Sequence, residues 1–171
     1  TLNAINKSGG VYKGFLYVGL MIKNDEPFLI EFNVRMGDPE CQTILPTLKT
    51  DLMDIFLSCC DGTLNLTNIN FSRTKSVCIV LCSKGYPVEF ENNIEIKDLE
   101  KLKLLKNQNI FHAGTLKTKN GFISNGGRVL NFVSTSDDFL KCRDETINLI
   151  KKLNWKNGYF RRDIGYKVIK I

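Results

Sequence analysis

Two apolar stretches, residues 14–22 and 27–33, flank the polar run Lys23-Asn24-Asp25-Glu26. Apolar runs of this length around a short polar break predict an antiparallel β-hairpin. A Gly37-Asp38-Pro39 turn follows, and then a short helix over residues 40–45 that Pro46 interrupts. Thr50 or Asp51 supplies a cap for a second helix, with Leu52, Ile55, Phe56 and Cys59 on one face. Gly62 stands where a left-handed residue would end that helix. Residues 63–73 are polar and rich in Asn, which predicts a boundary between a domain over residues 1–66 and one over 67–171.

Beyond that boundary the pattern changes to short strands. Residues 76–83 are continuously apolar and predict a strand buried on both faces. Lys84-Gly85-Tyr86-Pro87 reads as a turn. Further strands are expected over residues 109–113, 116–119 and 128–134. Ser134 or Ser136 then caps a long helix ending near Leu153. On it Phe139, Arg143 (by its stem), Ile147, Ile150 and Leu153 recur at helical spacing. Trp155 is expected in the core.

Composition narrows the class. At 171 residues and 43% hydrophobic, the chain can build one or two small cores. No apolar run approaches the roughly 18 residues of a membrane span, so no membrane association is expected. The six cysteines form no Cys-x-x-Cys pair and there is one histidine, so a zinc site is not expected. Cys59 and Cys60 end an apolar helix, and Cys78 and Cys82 lie in an apolar strand. They read as buried free thiols of a reducing compartment, and a cytoplasmic location follows. The start Thr1-Leu2-Asn3-Ala4 has no basic segment leading into an apolar one and no initiator Met. The chain is therefore expected to continue a longer one. A net charge of +6 would suit polyanions. The densest lysine cluster, however, is interleaved with Glu95, Asp98 and Glu100, and nucleic acid is not expected as a partner.

The candidate chemistry lies in Leu29-Ile30-Glu31-Phe32-Asn33-Val34-Arg35-Met36-Gly37-Asp38-Pro39-Glu40. Alternation along a strand turns Glu31, Asn33 and Arg35 to one face and Phe32 and Val34 to the other, into apolar packing. Two oxygen donors and one fixed positive charge on one face suit magnesium-bound phosphates.

Several runs resemble one family. They are Gly14-Phe15-Leu16-Tyr17-Val18-Gly19-Leu20-Met21, Ile30-Glu31-Phe32-Asn33 and Arg35-Met36-Gly37-Asp38-Pro39-Glu40-Cys41-Gln42. Gly85-Tyr86-Pro87, Phe111-His112-Ala113-Gly114-Thr115, Asn125-Gly126-Gly127-Arg128-Val129-Leu130 and Tyr159-Phe160-Arg161-Arg162-Asp163-Ile164-Gly165 continue the match. In order and spacing they are similar to the glycinamide ribonucleotide synthetases (phosphoribosylamine–glycine ligases), from Tyr12 to the C-terminus. Met36 stands where that family usually has Leu or Phe, a conservative change.

The resemblance implies an α+β fold: the C-terminal part of an ATP-grasp core, followed by a small β-rich domain with a packed helix. It implies an ATP-dependent ligase that activates glycine as an acyl phosphate for attack by 5-phosphoribosylamine. The cofactors would be ATP and Mg2+, with Mn2+ as an alternative. The family's N-terminal substrate domain, lysine-bearing core and mobile lid have no counterpart in these residues. That missing N-terminal portion is the implied partner, and the chain alone is not expected to be a competent enzyme. Two other classes stay open: a non-catalytic nucleotide- or phosphate-binding module of the same fold, and a basic nucleic-acid-binding domain.

Residue by residue, the resemblance makes Glu31 and Asn33 metal ligands, with Glu31 also at the nucleotide. Gly19 occupies a position where many ATP-grasp enzymes carry a further acid. Arg35 would orient glycine's carboxylate or the acyl phosphate. Asp38 would hold glycine's ammonium or shape the turn. Met21 and Ile30 would pack on adenine or serve as ordinary core. Glu40 would charge the start of the next helix. Asn125, Gly126, Gly127 and Arg128 form either a substrate-facing loop, where glycine backbone approaches a phosphate or ribose, or a tight turn feeding a strand. His112 is expected in a structural hydrogen bond, and Arg161-Arg162-Asp163 in ion pairs that dock domains.

Overall fold

The computed structural model describes residues 1–169. It divides into two compact units, Thr1–Cys41 with Leu48–Ser72, and Gln42–Thr47 with the chain from Arg73 onward. In total it is a mixed α and β structure.

The first unit opens with helix α1 (Leu2–Lys7), which the sequence pattern does not announce. Strands β1 (Tyr17–Lys23) and β2 (Glu26–Asn33) pair antiparallel. The turn between them places Asn24 and Asp25 at φ of 53° and 62°. Two successive left-handed residues match the twist of a two-residue hairpin, and Asn and Asp tolerate that region. Gly19 faces Glu31 and Leu20 faces Leu29, so Ile30 is the extra residue of a bulge. Helix α2 (Glu40–Ile44) follows and passes into a short 3-10 turn at Leu45–Thr47. Helix α3 (Leu52–Asp61) is capped by Asp51, whose carboxylate accepts from the Met53 amide at 2.7 Å. Gly62, at φ 76°, ends it.

The Asn-rich stretch after α3 folds back on the start of that helix. Leu48 pairs with Phe71, and the Lys49 amide donates to the Asn70 carbonyl at 2.9 Å. Thr50 Oγ1 donates to the Asn68 carbonyl at 3.2 Å and accepts from the Asn70 amide at 2.8 Å. Phe15 and Phe56 meet edge to face with ring centroids 5.9 Å apart.

Gly19 and Gly37 are the only buried residues of this unit. The apolar packing expected for Phe32 and Val34 is absent here, since they are 43% and 74% exposed. A two-stranded sheet has no second layer within this unit to cover either face.

The second unit carries a core. Its strands are β3 (Lys75–Ser83), β4 (Glu95–Ile96), β5 (Gln108–His112), β6 (Thr115–Thr118), β7 (Gly121–Ser124), β8 (Arg128–Ser136) and β9 (Gly158–Tyr159). Helix α4 (Phe139–Leu153) lies between β8 and β9 in sequence. One antiparallel sheet has the order β5-β8-β3-β9 and the other β4-β7-β6. On the first, Ile79 pairs with Phe132 and Leu81 with Leu130. These side chains join Val77 of β3 and Cys142, Leu149, Ile150 and Leu153 of α4 in one buried cluster. Cys78 of β3 is also buried, so that strand is covered on both faces as its unbroken apolar run predicts.

Three expectations need correction. Neither Ser134 nor Ser136 caps α4: β8 runs on through Ser136, and Asp138 caps the helix by accepting from the Lys141 amide at 2.9 Å. The thiols are not uniformly buried. Cys78 and Cys142 are enclosed, Cys41, Cys59 and Cys82 are partly covered, and Cys60 is exposed on the last turn of α3. Trp155 is half-buried at the edge of the core, and its Nε1 donates to the Glu95 carbonyl at 3.0 Å. A carbonyl partner suits an indole with one wet end. Among the described residues no helix is long and apolar enough to cross a membrane.

Candidate functional site

The end of β2 gathers the polar side chains of the first unit. Asn33 Nδ2 donates to Glu31 Oε1 at 2.9 Å, so the two lie on one face as alternation requires. That bond leaves the Asn33 amide oxygen and the other Glu31 oxygen as acceptors. Opposite Glu31, Gly19 has no side chain, and a Cβ there would stand 3.1 Å from Glu31 Cγ. Glycine on β1 therefore lets the Glu31 side chain lie across the hairpin. A carboxylate oxygen and an amide oxygen are both hard donors, of the kind that suit an ion retaining water in its other positions.

Tyr17 lies opposite Asn33 and shares this face. Its phenol donates to Glu40 Oε1 at 3.3 Å. The Glu40 charge beside it, partial burial, the hydrogen bond and the more distant Glu31 charge together hold the Tyr17 hydroxyl above the usual phenol range. The other Glu40 oxygen occupies the space that a Cβ on Gly37 would fill. Nothing in the sequence pattern singles out Tyr17, and Glu40 stands out there only as a charge at a helix start. Counting alternate positions back from Gly19 would have put Tyr17 on the site face.

Arg35 lies just beyond β2, and its Nη1 donates to the Met36 carbonyl at 3.0 Å. Asp38 precedes Pro39 through a cis peptide, and the Cys41 amide donates to the Gly37 carbonyl at 2.9 Å as the loop enters α2. Met21 and Ile30 are 58% and 63% exposed, so neither is core in this unit. The bulge sets Phe28 rather than Leu29 across from Met21, and leaves Ile30 with no partner in the register.

Asn125, Gly126, Gly127 and Arg128 join β7 to β8 in the second unit. Ser83 fastens this turn: its Oγ donates to the Gly126 carbonyl at 2.9 Å and its amide to the Gly127 carbonyl at 2.8 Å. The Gly114 amide donates to the Arg128 carbonyl at 2.9 Å, and a Cβ on Gly114 would come within 2.7 Å of that oxygen. Gly126, at φ 153°, adopts backbone geometry that favours glycine. The turn is thus tightly packed, with the Gly126, Gly127 and Arg128 carbonyls engaged internally. His112 makes the local bond expected of it, Nδ1 to Thr115 Oγ1 at 2.8 Å. Arg161 grips Asp163 through two bonds of 3.0 and 2.7 Å, a pair that closes on itself two residues away.

Comparison with known proteins gives these groups a context. The family description "Phosphoribosylglycinamide synthetase, C domain" matches residues 76–167. The chain belongs to the phosphoribosylglycinamide synthetase family. The ATP-grasp (A) domain of the same synthetase matches residues 1–41, the segment that holds Tyr17, Glu31, Asn33, Arg35 and Glu40. The phosphoribosylamine–glycine ligase of Caldanaerobacter subterraneus subsp. tengcongensis is 39% identical over 95% of this chain and 38% of its own length. That of Haemophilus influenzae is 38% identical over 99% of this chain and 40% of its own. The crystal structure of the Thermotoga maritima phosphoribosylamine–glycine ligase superposes with a TM-score of 0.79 at 31% identity, over 95% of this chain and 39% of that one. As a synthetase-family chain, this one spans about two-fifths of the length of the curated relatives it matches. The expected α+β class agrees with that superposition.

Proposed function

We propose that this chain forms the metal- and substrate-binding end of an ATP-dependent ligase that joins glycine to 5-phosphoribosylamine, giving glycinamide ribonucleotide, ADP and phosphate. The observation that carries this reading is the hydrogen-bonded Glu31–Asn33 pair, two oxygen-bearing side chains on one strand face with Arg35 two residues on, inside the segment matched by the ATP-grasp (A) domain. A divalent ion held by Glu31 and Asn33, magnesium or manganese, would supply charge neutralisation at the phosphate oxygens of ATP.

Around that pair the protein's own groups bind and orient. The Arg35 guanidinium holds the carboxylate that is to be phosphorylated, presenting a planar fork of donors to it. The carboxylate oxygen attacks the terminal phosphorus and ADP leaves. The amine of 5-phosphoribosylamine then attacks the acyl carbon, phosphate leaves and the nitrogen loses a proton. Positioning and charge carry most of this chemistry, which requires no histidine base. Asp38 shapes the loop beside the amino acid. Met21 and Ile30, apolar and exposed, offer packing for the adenine ring. Asn125, Gly126, Gly127 and Arg128 take the phosphate or ribose of the amine substrate. The remaining length of the family's architecture completes the ATP site, and the setting is a reducing cytoplasm.

The test is glycine- and phosphoribosylamine-dependent ADP formation by the native polypeptide that contains these residues. Glu31→Ala is expected to lower the rate at least about a hundredfold, since several kcal/mol of charge stabilisation pass through the metal. An active protein indifferent to that change would overturn the metal assignment. A folded protein that binds Mg·ATP without turnover would overturn the ligase in favour of a binding module.

A further inference from the structure

A carboxylate at the first residue of a short helix needs no anchor from elsewhere, yet Glu40 has two. One oxygen accepts the Tyr17 hydroxyl from β1 at 3.3 Å. The other rests over Gly37, in space that any side chain at position 37 would occupy. The hairpin and the loop that follows it thus fix one acidic group together. Six residues of loop separate strand from helix, with a guanidinium near one end at Arg35 and this carboxylate at the other. A zwitterionic amino acid has complementary charges separated by two bonded carbons. It needs a cation for its carboxylate and an anion for its ammonium within one small site.

We propose that Tyr17 is a positioning residue for amino-acid binding: its phenol holds Glu40 over Gly37, and Glu40 accepts the substrate's ammonium group while Arg35 takes its carboxylate. This rests on the reading of the loop as the glycine site. The neutral phenol suits the task. It orients a carboxylate without neutralising it, so the full negative charge stays available to the ammonium. Asn33, opposite Tyr17, ties the same face to Glu31. The hairpin therefore carries the metal groups itself and holds Glu40 through Tyr17.

The experiment is steady-state kinetics of the native polypeptide containing this chain, with glycine and ATP varied separately. Removing one orienting hydrogen bond with Tyr17→Phe is expected to raise the KM for glycine about tenfold and leave that for ATP within about twofold. Glu40→Gln is expected to raise the glycine KM further, because it removes the charge itself. The double variant should be no worse than Glu40→Gln alone, since Tyr17 acts only through Glu40. An unchanged glycine KM in either single variant overturns the proposal. So does an equal rise in both KM values, or effects that add in the double variant. Should Tyr17→Phe fail to fold, the split between glycine and ATP in Glu40→Gln decides the matter. A native protein with no glycine-dependent ADP formation at all would instead overturn the ligase reading beneath it.

Discussion

The ring of Tyr86 lies against Gly127, filling the space a Cβ would take. Neither partner is free to yield. The Gly127 carbonyl is held by the Ser83 amide at 2.8 Å, and the Tyr86 ring meets Phe90 at 5.8 Å between centroids. Gly127→Ala is therefore expected to destabilise the second unit by about 1–3 kcal/mol, the usual range for forcing a methyl into packed space. A urea midpoint that falls at unchanged m-value is the measurement. In a Tyr86→Ala background the same change should cost almost nothing, because the obstruction is gone. Full cost in both backgrounds would place the obstruction elsewhere.

The start of α4 offers a sharper contrast. Asp138 accepts the Lys141 amide, whereas Ser136 still belongs to β8. Asp138→Ala is expected to cost about 0.5–2 kcal/mol, and Ser136→Ala to leave the cap intact. Thermal melts of the two variants check the order, and a larger loss from Ser136→Ala would reverse the assignment.

That contrast also marks how far the pattern of residues could be read. Long periodic elements were legible: β3 from its unbroken apolar run, α3 from Asp51 and Gly62, α4 from positions such as Ile150 and Leu153. Boundaries and short pieces were not. Ser134, Ser136, Asp137 and Asp138 are all good capping residues, and only the length of β8 chooses among them. Strands β4 and β9 hold two residues each and exist through their partners, Ile123 and Phe122 for one, Cys82 and Ser83 for the other. The face carrying Glu31 and Asn33 followed from alternation alone. The bulge at Ile30 did not, since a register shift depends on the opposite strand. Tyr17 escaped for the same reason: its tie to Glu40 spans 23 positions of sequence and forms only once the hairpin has closed.

The cysteines provide a third test. Cys60 is exposed, while Cys78 and Cys142 are enclosed. Burial pushes the Cys142 thiol up, and its Sγ donates to the Lys75 carbonyl at 3.4 Å. The thiolate is the reactive form, so both access and ionisation protect Cys142. Under native conditions a thiol reagent such as dithionitrobenzoate is expected to react first at Cys60. Cys78 and Cys142 should respond only when the chain unfolds. Cys60→Ser should remove the fastest phase, and a fast phase that survives it would contradict the observed exposure.

The last prediction concerns the proton on Tyr17. The neighbouring Glu40 charge is the main reason its hydroxyl ionises above the usual phenol range, with burial, the hydrogen bond and Glu31 adding in the same direction. A raised value in the folded state means that the folded chain holds this proton more tightly than the unfolded one. The resulting stability is fully present below the pKa of the unfolded phenol and is lost as pH rises through the folded one. The window therefore lies on the alkaline side, and neutral pH leaves the Tyr17–Glu40 bond intact. Absorbance at 295 nm, taken as the difference between the native chain and Tyr17→Phe, isolates this one phenol among five tyrosines. Its midpoint is expected above the ordinary phenol value. Glu40→Gln should bring it down, because that change removes the largest cause while keeping a hydrogen-bond acceptor in place. A midpoint at the ordinary value, or one that Glu40→Gln leaves where it was, would mean the carboxylate does not stand beside the phenol in solution.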